Sequence, residues 1–345
     1  MSEKAAVLVA GSWGTALASV LADKMDVMIW TRNEAQRDEI NEKHRNERFL
    51  PGVDLSPRIV ATNDMEEAVT GAKAVVIVAP SSAVRDVARA LKPFWNEDMT
   101  VVHATKGFET ESLKRISVVI AEELGCEEGR IVVLSGPSHA EEVVQRCPTT
   151  VVVASLLEQQ AQKAQDLFMN SYFRVYTNRD MVGVELAGAL KNIIALGAGM
   201  SDGLGYGDNA KAALLTRGLA EITRIGVEMG ANPLTFAGLA GVGDLVVTAT
   251  SRHSRNWRAG YMIGEGKSLD TVLNSMGMVV EGIRTTKAAR TISEKYQVQM
   301  PIAQQLYHVL FDGIEPRVAV EALMGRDRKT EMEVMSLETW EQWHT

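Results

Sequence analysis

Between Leu186 and Met200 the chain carries one charged side chain, Lys191, in an apolar run without proline. The stretch Glu185-Leu-Ala-Gly-Ala-Leu-Lys-Asn-Ile-Ile-Ala-Leu-Gly-Ala-Gly199 is rich in Ala and Leu, so it reads as a helix. A helix that is apolar all round has to be buried. It falls short of the roughly 18–20 residues that cross a bilayer, which predicts a core helix rather than a membrane span. Gly188, Ala189, Ala195 and Gly197 are small enough to let other backbones approach. Lys191 then needs a partner, because lysine is almost never fully buried alone. Desolvation would bring its pKa toward the range of a general acid or base. Snorkelling to the surface, or pairing with Glu185 or Asp244, are the plain alternatives at this point.

The first half alternates short apolar runs with helical patterns. Ala5–Ala10, Asp26–Trp30, Ile59–Ala61, Ala74–Ala79, Thr100–His103 and Ile131–Leu134 read as strands. Val151–Ala154 and Phe173–Tyr176 read as the last two. Helices are expected at Thr15–Asp23, from Asp64 to Gly71 and at Ala83–Leu91. Such alternation predicts a mostly parallel, doubly covered sheet of the Rossmann-like α/β class. Ligands of such sheets sit at the carboxyl ends of the strands.

The turn after the first strand, Val9-Ala-Gly11-Ser12-Trp13-Gly14, nearly carries the dinucleotide fingerprint G-x-G-x-x-G. Gly11 and Gly14 match its second and third glycines. Val9 stands where the first would make the tight turn. After the second strand, an NAD site usually places an acidic residue on the ribose hydroxyls. This chain has Thr31-Arg32-Asn33 there. A guanidinium suits a 2′-phosphate, so NADPH is expected to be preferred, with NADH as the alternative. Lys106 follows another strand at the same sheet edge. In Gly136-Pro137-Ser138-His139-Ala140, Ser138 is placed to cap the next helix, and His139 beside Glu141 and Glu142 reads as structural.

After Asn178-Arg179-Asp180 the periodicity is helical almost throughout, so the expected division is a dinucleotide-binding domain at 1–179 and an all-helical domain at 180–345. Helices are expected at 210–229, 232–240, 257–265, 269–275, 285–296, 303–311 and 316–324. The glycine-rich stretch Ser201–Asn209 reads as a long turn. Two glycines before Asp244, at 241 and 243, would give that carboxylate backbone freedom to approach Lys191 or a substrate hydroxyl. Ser254, Arg255 and Asn256 at a helix start combine free amides with a guanidinium fork, a good grip for a phosphate. Arg252 and Arg258 are expected on other faces. Glu281, after Val279, opens another helix within reach of a coenzyme or a lysine. His253 receives no role, and the tail with Trp340 and Trp343 is uninformative.

A net charge of -8 argues against nucleic acid or an anionic membrane as partner. Cys126 and Cys147 make neither a disulfide framework nor a metal-type spacing, so no metal and a cytoplasmic setting are expected.

Seven motifs together resemble the bacterial-type NAD(P)-dependent glycerol-3-phosphate dehydrogenases: Ala10–Ala18, Leu134–Glu142, Gly188–Gly199, Asp202–Lys211, Gly241–Asp244, His253–Arg258 and Val280–Gly282. They occur in the family's order over nearly the whole chain. The resemblance implies interconversion of sn-glycerol 3-phosphate and dihydroxyacetone phosphate for phospholipid synthesis, with Lys191 as proton acceptor in alcohol oxidation. It implies that Lys106, Gly136, Ser138, Lys191, Asp244, Ser254, Arg255 and Asn256 line the substrate. Ser12, Trp13, Arg32, Lys106, Ala140, Arg255, Val279 and Glu281 would touch the coenzyme, beside Gly11 and Gly14. A homodimer acting on a small phosphate, without membrane insertion, is the expected setting. The departures are Val9 and a turn, Asp23–Asp26, that is one residue short. The rivals are a 3-hydroxy-acid dehydrogenase of this architecture and a non-catalytic dinucleotide-binding regulator.

Overall fold

The computed structural model describes residues 3–277, 279–328 and 330–331; Trp340 and Trp343 lie outside them. The first half runs β1 (Lys4–Leu8), α1 (Ser12–Ala22), β2 (Asp26–Trp30), α2 (Glu34–Lys43), β3 (Ile59–Thr62), α3 (Met65–Val69), β4 (Ala72–Ile77) and α4 (Val84–Leu91). It continues with β5 (Thr100–His103), α5 (Ile116–Leu124), β6 (Ile131–Ser135), α6 (Ala140–Val144), β7 (Thr149–Ala154), α7 (Glu158–Phe168) and β8 (Phe173–Asn178). Helices follow: α8 (Met181–Gly203), α9 (Asp208–Glu228), α10 (Pro233–Phe236), α11 (Asp244–Thr250) and α12 (Arg255–Gly264). The last four are α13 (Leu269–Met276), α14 (Glu281–Tyr296), α15 (Pro301–Phe311) and α16 (Pro316–Met324).

The eight strands form one sheet in the order β3-β2-β1-β4-β5-β6-β7-β8. All neighbours are parallel except β6 and β7, which pair antiparallel. Both faces are covered. Ala5 and Val7 of β1 belong to one apolar cluster and Ala6 and Leu8 to another, all fully buried. This is why the strands read as continuous apolar runs rather than as alternating ones. The strand order reverses between β1 and β4, so their carboxyl ends open a crevice there.

Three helices of the first half, α2, α5 and α7, were not legible as periodic segments. α2 buries only Ile40, so it shows almost no apolar stripe. α7 buries Gln160, two alanines and Phe168, a mixed face that pattern reading passes over.

The apolar stretch around Lys191 forms α8, which is 23 residues long, not the shorter segment expected. By length and composition α8 would cross a membrane, as would Pro233–Thr250, but 94% of α8's most apolar window is buried inside the protein. A third apolar cluster is built around it. The close approach comes from glycines at its far end. A Cβ on Gly199 would lie 1.9 Å from the Trp257 carbonyl oxygen, and one on Gly260 would lie 1.9 Å from that of Leu196. Two backbones therefore touch where α8 crosses α12, which sets the start of α12 beside Lys191 and Asn192.

Candidate active site

The glycine turn comes first. α1 opens at Gly11 without a side-chain cap. Its first amides therefore point into the crevice with no side-chain acceptor, as an anion requires. A Cβ on Gly11 would meet open space, whereas one on Gly14 would lie 2.2 Å from the Val9 carbonyl oxygen. Gly14 is thus obligatory for packing, and Gly11 leaves room for a ligand. Val9 takes φ 85°, the left-handed region that the missing glycine would occupy freely. A β-branched residue there is strained.

A buried amide frame that the sequence did not flag supports this turn. Asn46, fully buried, donates to the Ala10 carbonyl (3.0 Å) and to Thr15 Oγ1 (2.8 Å), and Gln36 donates to the same carbonyl (2.7 Å). Ser12 Oγ donates to the Phe49 carbonyl (2.9 Å). Arg32 lies at the end of β2 with its guanidinium 5.6 Å from the Trp30 ring centroid. Asp38, Glu39 and Glu42 line the same end of the crevice. Asp38 is paired with Arg37, and Glu39 accepts from the Glu47 amide.

The crevice opens into one cavity of about 1100 Å³. Its walls include the glycine turn with Gly11, Ser12, Trp13 and Gly14, then Arg32, and then Lys106, Ser138 and Ala140. From the helical half come Lys191, Asp244, Ser254, Arg255, Asn256, Val279 and Glu281. Gly136 joins through its carbonyl, which accepts from Lys106 Nζ at 3.3 Å.

Lys191 is 4% exposed and donates to Asp244 Oδ1 and to Thr248 Oγ1. Lys106 holds the other oxygen of the same carboxylate, Oδ2, at 2.6 Å. Burial, tempered by Asp244 and reinforced by Lys106, pushes the Lys191 ammonium down to about 7. Burial works to raise the Asp244 carboxyl, but the two lysines outweigh it and hold it below its ordinary value. Two cations and one anion at the bottom of a cavity give a net positive floor suited to an anionic group.

Asn192 and Thr248 are polar groups that the sequence reading missed. Asn192 is the neighbour of Lys191, and Thr248 stands four residues after Asp244, one helical turn. Asn192 Oδ1 accepts from Asn256 (2.9 Å), whose own Oδ1 accepts from the Gly282 amide (2.8 Å). Ser254 Oγ caps α12 by accepting from the Trp257 amide (3.2 Å). Arg255 donates to the Val279 carbonyl (3.1 Å), and burial lowers its pKa. Glu281 accepts from the amide (3.3 Å) and the hydroxyl (3.0 Å) of Ser81 across the cleft.

Four expectations need correction. Ser138 does not cap α6; His139 is the N-cap residue and its side chain makes no capping bond, Nε2 instead lying 3.4 Å from the Val247 carbonyl oxygen, and Ser138 Oγ donates to the Gly136 carbonyl (2.9 Å). Gly241 is required by close packing rather than by conformational freedom, and neither Gly241 nor Gly243 takes a positive φ. They lie in a π-helical turn, Leu239–Gly243, and a Cβ on Gly241 would sit 1.9 Å from the Phe236 carbonyl oxygen. Glu185 does not pair with Lys191. Arg258, expected on another face, lines the cavity, as do His139 and His253, whose rings lie 5.9 Å apart.

Family models match both halves. The model for the NAD-dependent glycerol-3-phosphate dehydrogenase N-terminus matches residues 4–161, and that for the C-terminus matches residues 180–321. The chain belongs to this family. It is 57% identical over 335 residues to glycerol-3-phosphate dehydrogenase [NAD(P)+] of Lysinibacillus sphaericus, covering 96% of this chain and 99% of that one. The Geobacillus kaustophilus protein of the same name is 58% identical over 333 residues, 96% of this chain and 97% of that one. The crystal structure of glycerol-3-phosphate dehydrogenase from Coxiella burnetii superposes with a TM-score of 0.89 at 38% identity, covering 94% of this chain and 99% of that one. Family membership thus agrees with the fold class and the coenzyme type expected from the motifs.

Proposed function

We propose that Lys191 exchanges the proton in the family's reaction, between sn-glycerol 3-phosphate and dihydroxyacetone phosphate. The chain is an NAD(P)-dependent oxidoreductase of that family. When bound, the nicotinamide coenzyme supplies or accepts the hydride. The uncapped α1 start over Gly11, and the room above it, fit a pyrophosphate. Arg32 supports NADPH as the preferred coenzyme and NADH as the second. Arg255, Val279 and Glu281 would complete its cradle from the helical half, with Trp13, Lys106 and Ala140.

The residues divide the remaining work. Ser254, Arg255 and Asn256 would hold the substrate phosphate at the start of α12, so binding energy far from the reacting carbon orients it. Lys106, with Ser138 and Gly136 beside it, would face the substrate oxygens. In ketone reduction Lys191 would donate a proton to the oxygen formed at C2, and in alcohol oxidation it would remove one. Asp244 holds Lys191 in place and offers an acceptor for a hydroxyl. The observation that carries this reading is the buried Lys191 brought near neutrality beside Arg255 and Asn256 in one cavity. The basic grip at Ser254–Asn256 favours a phosphate over a 3-hydroxy acid, and the buried Lys191–Asp244–Lys106 cluster serves chemistry that a mere binder does not need.

A division of the chain near residue 179, phospholipid synthesis as the destination of the product, a cytoplasmic location and a homodimer belong to the same reading. The test is oxidation of NADPH with dihydroxyacetone phosphate. Turnover with this substrate and none with 3-oxo acids supports the reading; the reverse refutes it.

A further inference from the structure

A second buried charged cluster lies beneath the site, and no part of the chemistry uses it. Glu185, in the second turn of α8, points away from Lys191 and into the sheet half. Its Oε1 accepts from the Ser117 amide (2.9 Å), and its Oε2 accepts from Ser117 Oγ (2.6 Å) and Arg115 Nη1 (2.7 Å). Arg115 also pairs with Glu128 at 2.6 Å, so the guanidinium is shared between two carboxylates. Arg115 is the N-cap residue of α5 and makes no side-chain cap. The carboxylate that satisfies the start of α5 thus comes from α8, where it also meets the positive end of the helix. His103, the last residue of β5 and 1% exposed, places Nε2 3.3 Å from Glu185 Oε1. That is ion-pair reach but not hydrogen-bond alignment, and both ring nitrogens lack a directed partner among the described residues.

The position of this cluster matters for the two lysines. Lys106 stands three residues after His103 and Lys191 six residues after Glu185. Glu185 and Gly188, one helical turn apart on α8, face the sheet half, Glu185 toward His103 and Gly188 toward Ser135. A Cβ on Gly188 would lie 2.8 Å from Ser135 Oγ and 3.7 Å from Lys106 Cγ, so α8 sits directly on β6 and on the Lys106 stem. The seat of α8 on β6 and on the Lys106 stem therefore bears on how Lys106 and Lys191 meet across Asp244. Burial opposes ionisation of Glu185, but His103, Arg115 and Ser117 outweigh it and keep the carboxylate charged.

We propose that Glu185 is a positioning residue for the reaction: by tying α8 to His103 and to the start of α5, it sets the register of Lys191 against Lys106. The proposal rests on the reading of Lys191 as the proton-exchanging group. Glu185 is not part of the cavity wall, so it acts only through that register.

The experiment uses the full-length enzyme with Glu185→Gln, which keeps shape and removes charge, and Ser117→Ala, which removes one donor and leaves the charge pairs intact. The expected result for Glu185→Gln is a kcat lower by about tenfold to a hundredfold, since small misplacements of reacting groups cost that much. KM for NADPH stays within about twofold. The pH midpoint of kcat moves by about half a unit or more, because the surroundings of Lys191 change. Ser117→Ala shifts kcat and midpoint the same way by less. A Glu185→Gln enzyme with normal kcat and midpoint overturns the proposal, as does one whose KM values rise together with kcat loss while the midpoint stays put. If Glu185→Gln does not fold, Ser117→Ala decides, and an unchanged kcat and midpoint there overturn it. Lys191→Ala separates the two readings. A near-normal kcat in that variant removes the role of Lys191 itself, whereas an inactive Lys191→Ala beside an unaffected Glu185→Gln removes only the anchor.

Discussion

Lys191 and Asp244, 53 residues apart in the chain, form a fully buried ion pair at the floor of the cavity. The carboxylate is shared with Lys106, so the lysine is neither isolated nor fully neutralised. That balance leaves its pKa near the working range of a proton donor.

The balance has a sign that pH–rate profiles can read. With Lys191 as the proton donor proposed above, ketone reduction needs the ammonium, so kcat in that direction should fall as pH rises through about 7. In the same proposal alcohol oxidation needs the free amine, so kcat should rise over the same interval. Asp244 holds the Lys191 pKa up, so Asp244→Asn moves both midpoints to lower pH. Lys191→Ala lowers kcat by about a hundredfold or more. Profiles without a transition near neutrality would exclude this role for Lys191.

Val9 stores strain in the coenzyme turn. A non-glycine residue at positive φ costs about 1–3 kcal/mol, part of which glycine's greater unfolded-state freedom cancels. Val9→Gly is expected to raise stability by about 1 kcal/mol and to lower the Kd for NADPH. Thermal melts and coenzyme titrations measure both, and identical values in the two proteins would show that the turn is unstrained.

Arg32 is the expected determinant of the 2′-phosphate. Arg32→Ala should raise KM for NADPH about tenfold, the loss of one charge-assisted contact, with little change for NADH. Steady-state kinetics with both coenzymes decide it; a tenfold or greater preference of the natural enzyme for NADH defeats the assignment.

Gly260 has no room for a side chain at the α8–α12 crossing. Gly260→Ala must push the helices apart, at a cost of about 2–3 kcal/mol from overpacking. Because α12 begins with Arg255 and Asn256, KM for dihydroxyacetone phosphate should rise along with the loss of thermal stability. A variant as stable and as tight-binding as the parent would contradict the packing described.

Glu221 gives stability an unusual pH dependence. Buried between α9 and α15, it accepts from the amides of Ile302 (2.8 Å) and Ala303 (3.3 Å), yet burial pushes its pKa up to about 7. The folded state therefore binds a proton that the unfolded state has lost between about pH 4.5 and 7. Its contribution to stability is full below that window and is lost as pH rises through about 7. The change is of the order of 3 kcal/mol. Glu221→Gln should flatten this dependence in denaturant titrations at pH 5 and 8; an unaltered slope would show that the carboxyl is ionised throughout.

Much of the molecule was legible beforehand because it depends on local chemistry. Buried parallel strands need continuous apolar runs, so β1, β2, β4, β5 and β6 could be read from composition alone. A lone lysine in an apolar helix was conspicuous for the same reason, and Ser254–Asn256 looked like a helix start with a guanidinium. Polar helices such as α2 were not legible, because their stability comes from one buried Ile40 and from capping by Asn33 rather than from a stripe.

The sequence by itself determined the fold class, the glycine turn and the identity of the unusual lysine, since each follows from residue type and spacing. Only the tertiary structure decided which acid that lysine meets, that Asp244 serves two lysines, and that Glu185 serves α5 instead. Those are contacts between elements far apart in the chain. They depend on how deeply α8 settles on the sheet and on α12, where glycines without side chains let backbones touch, and no local pattern encodes that depth.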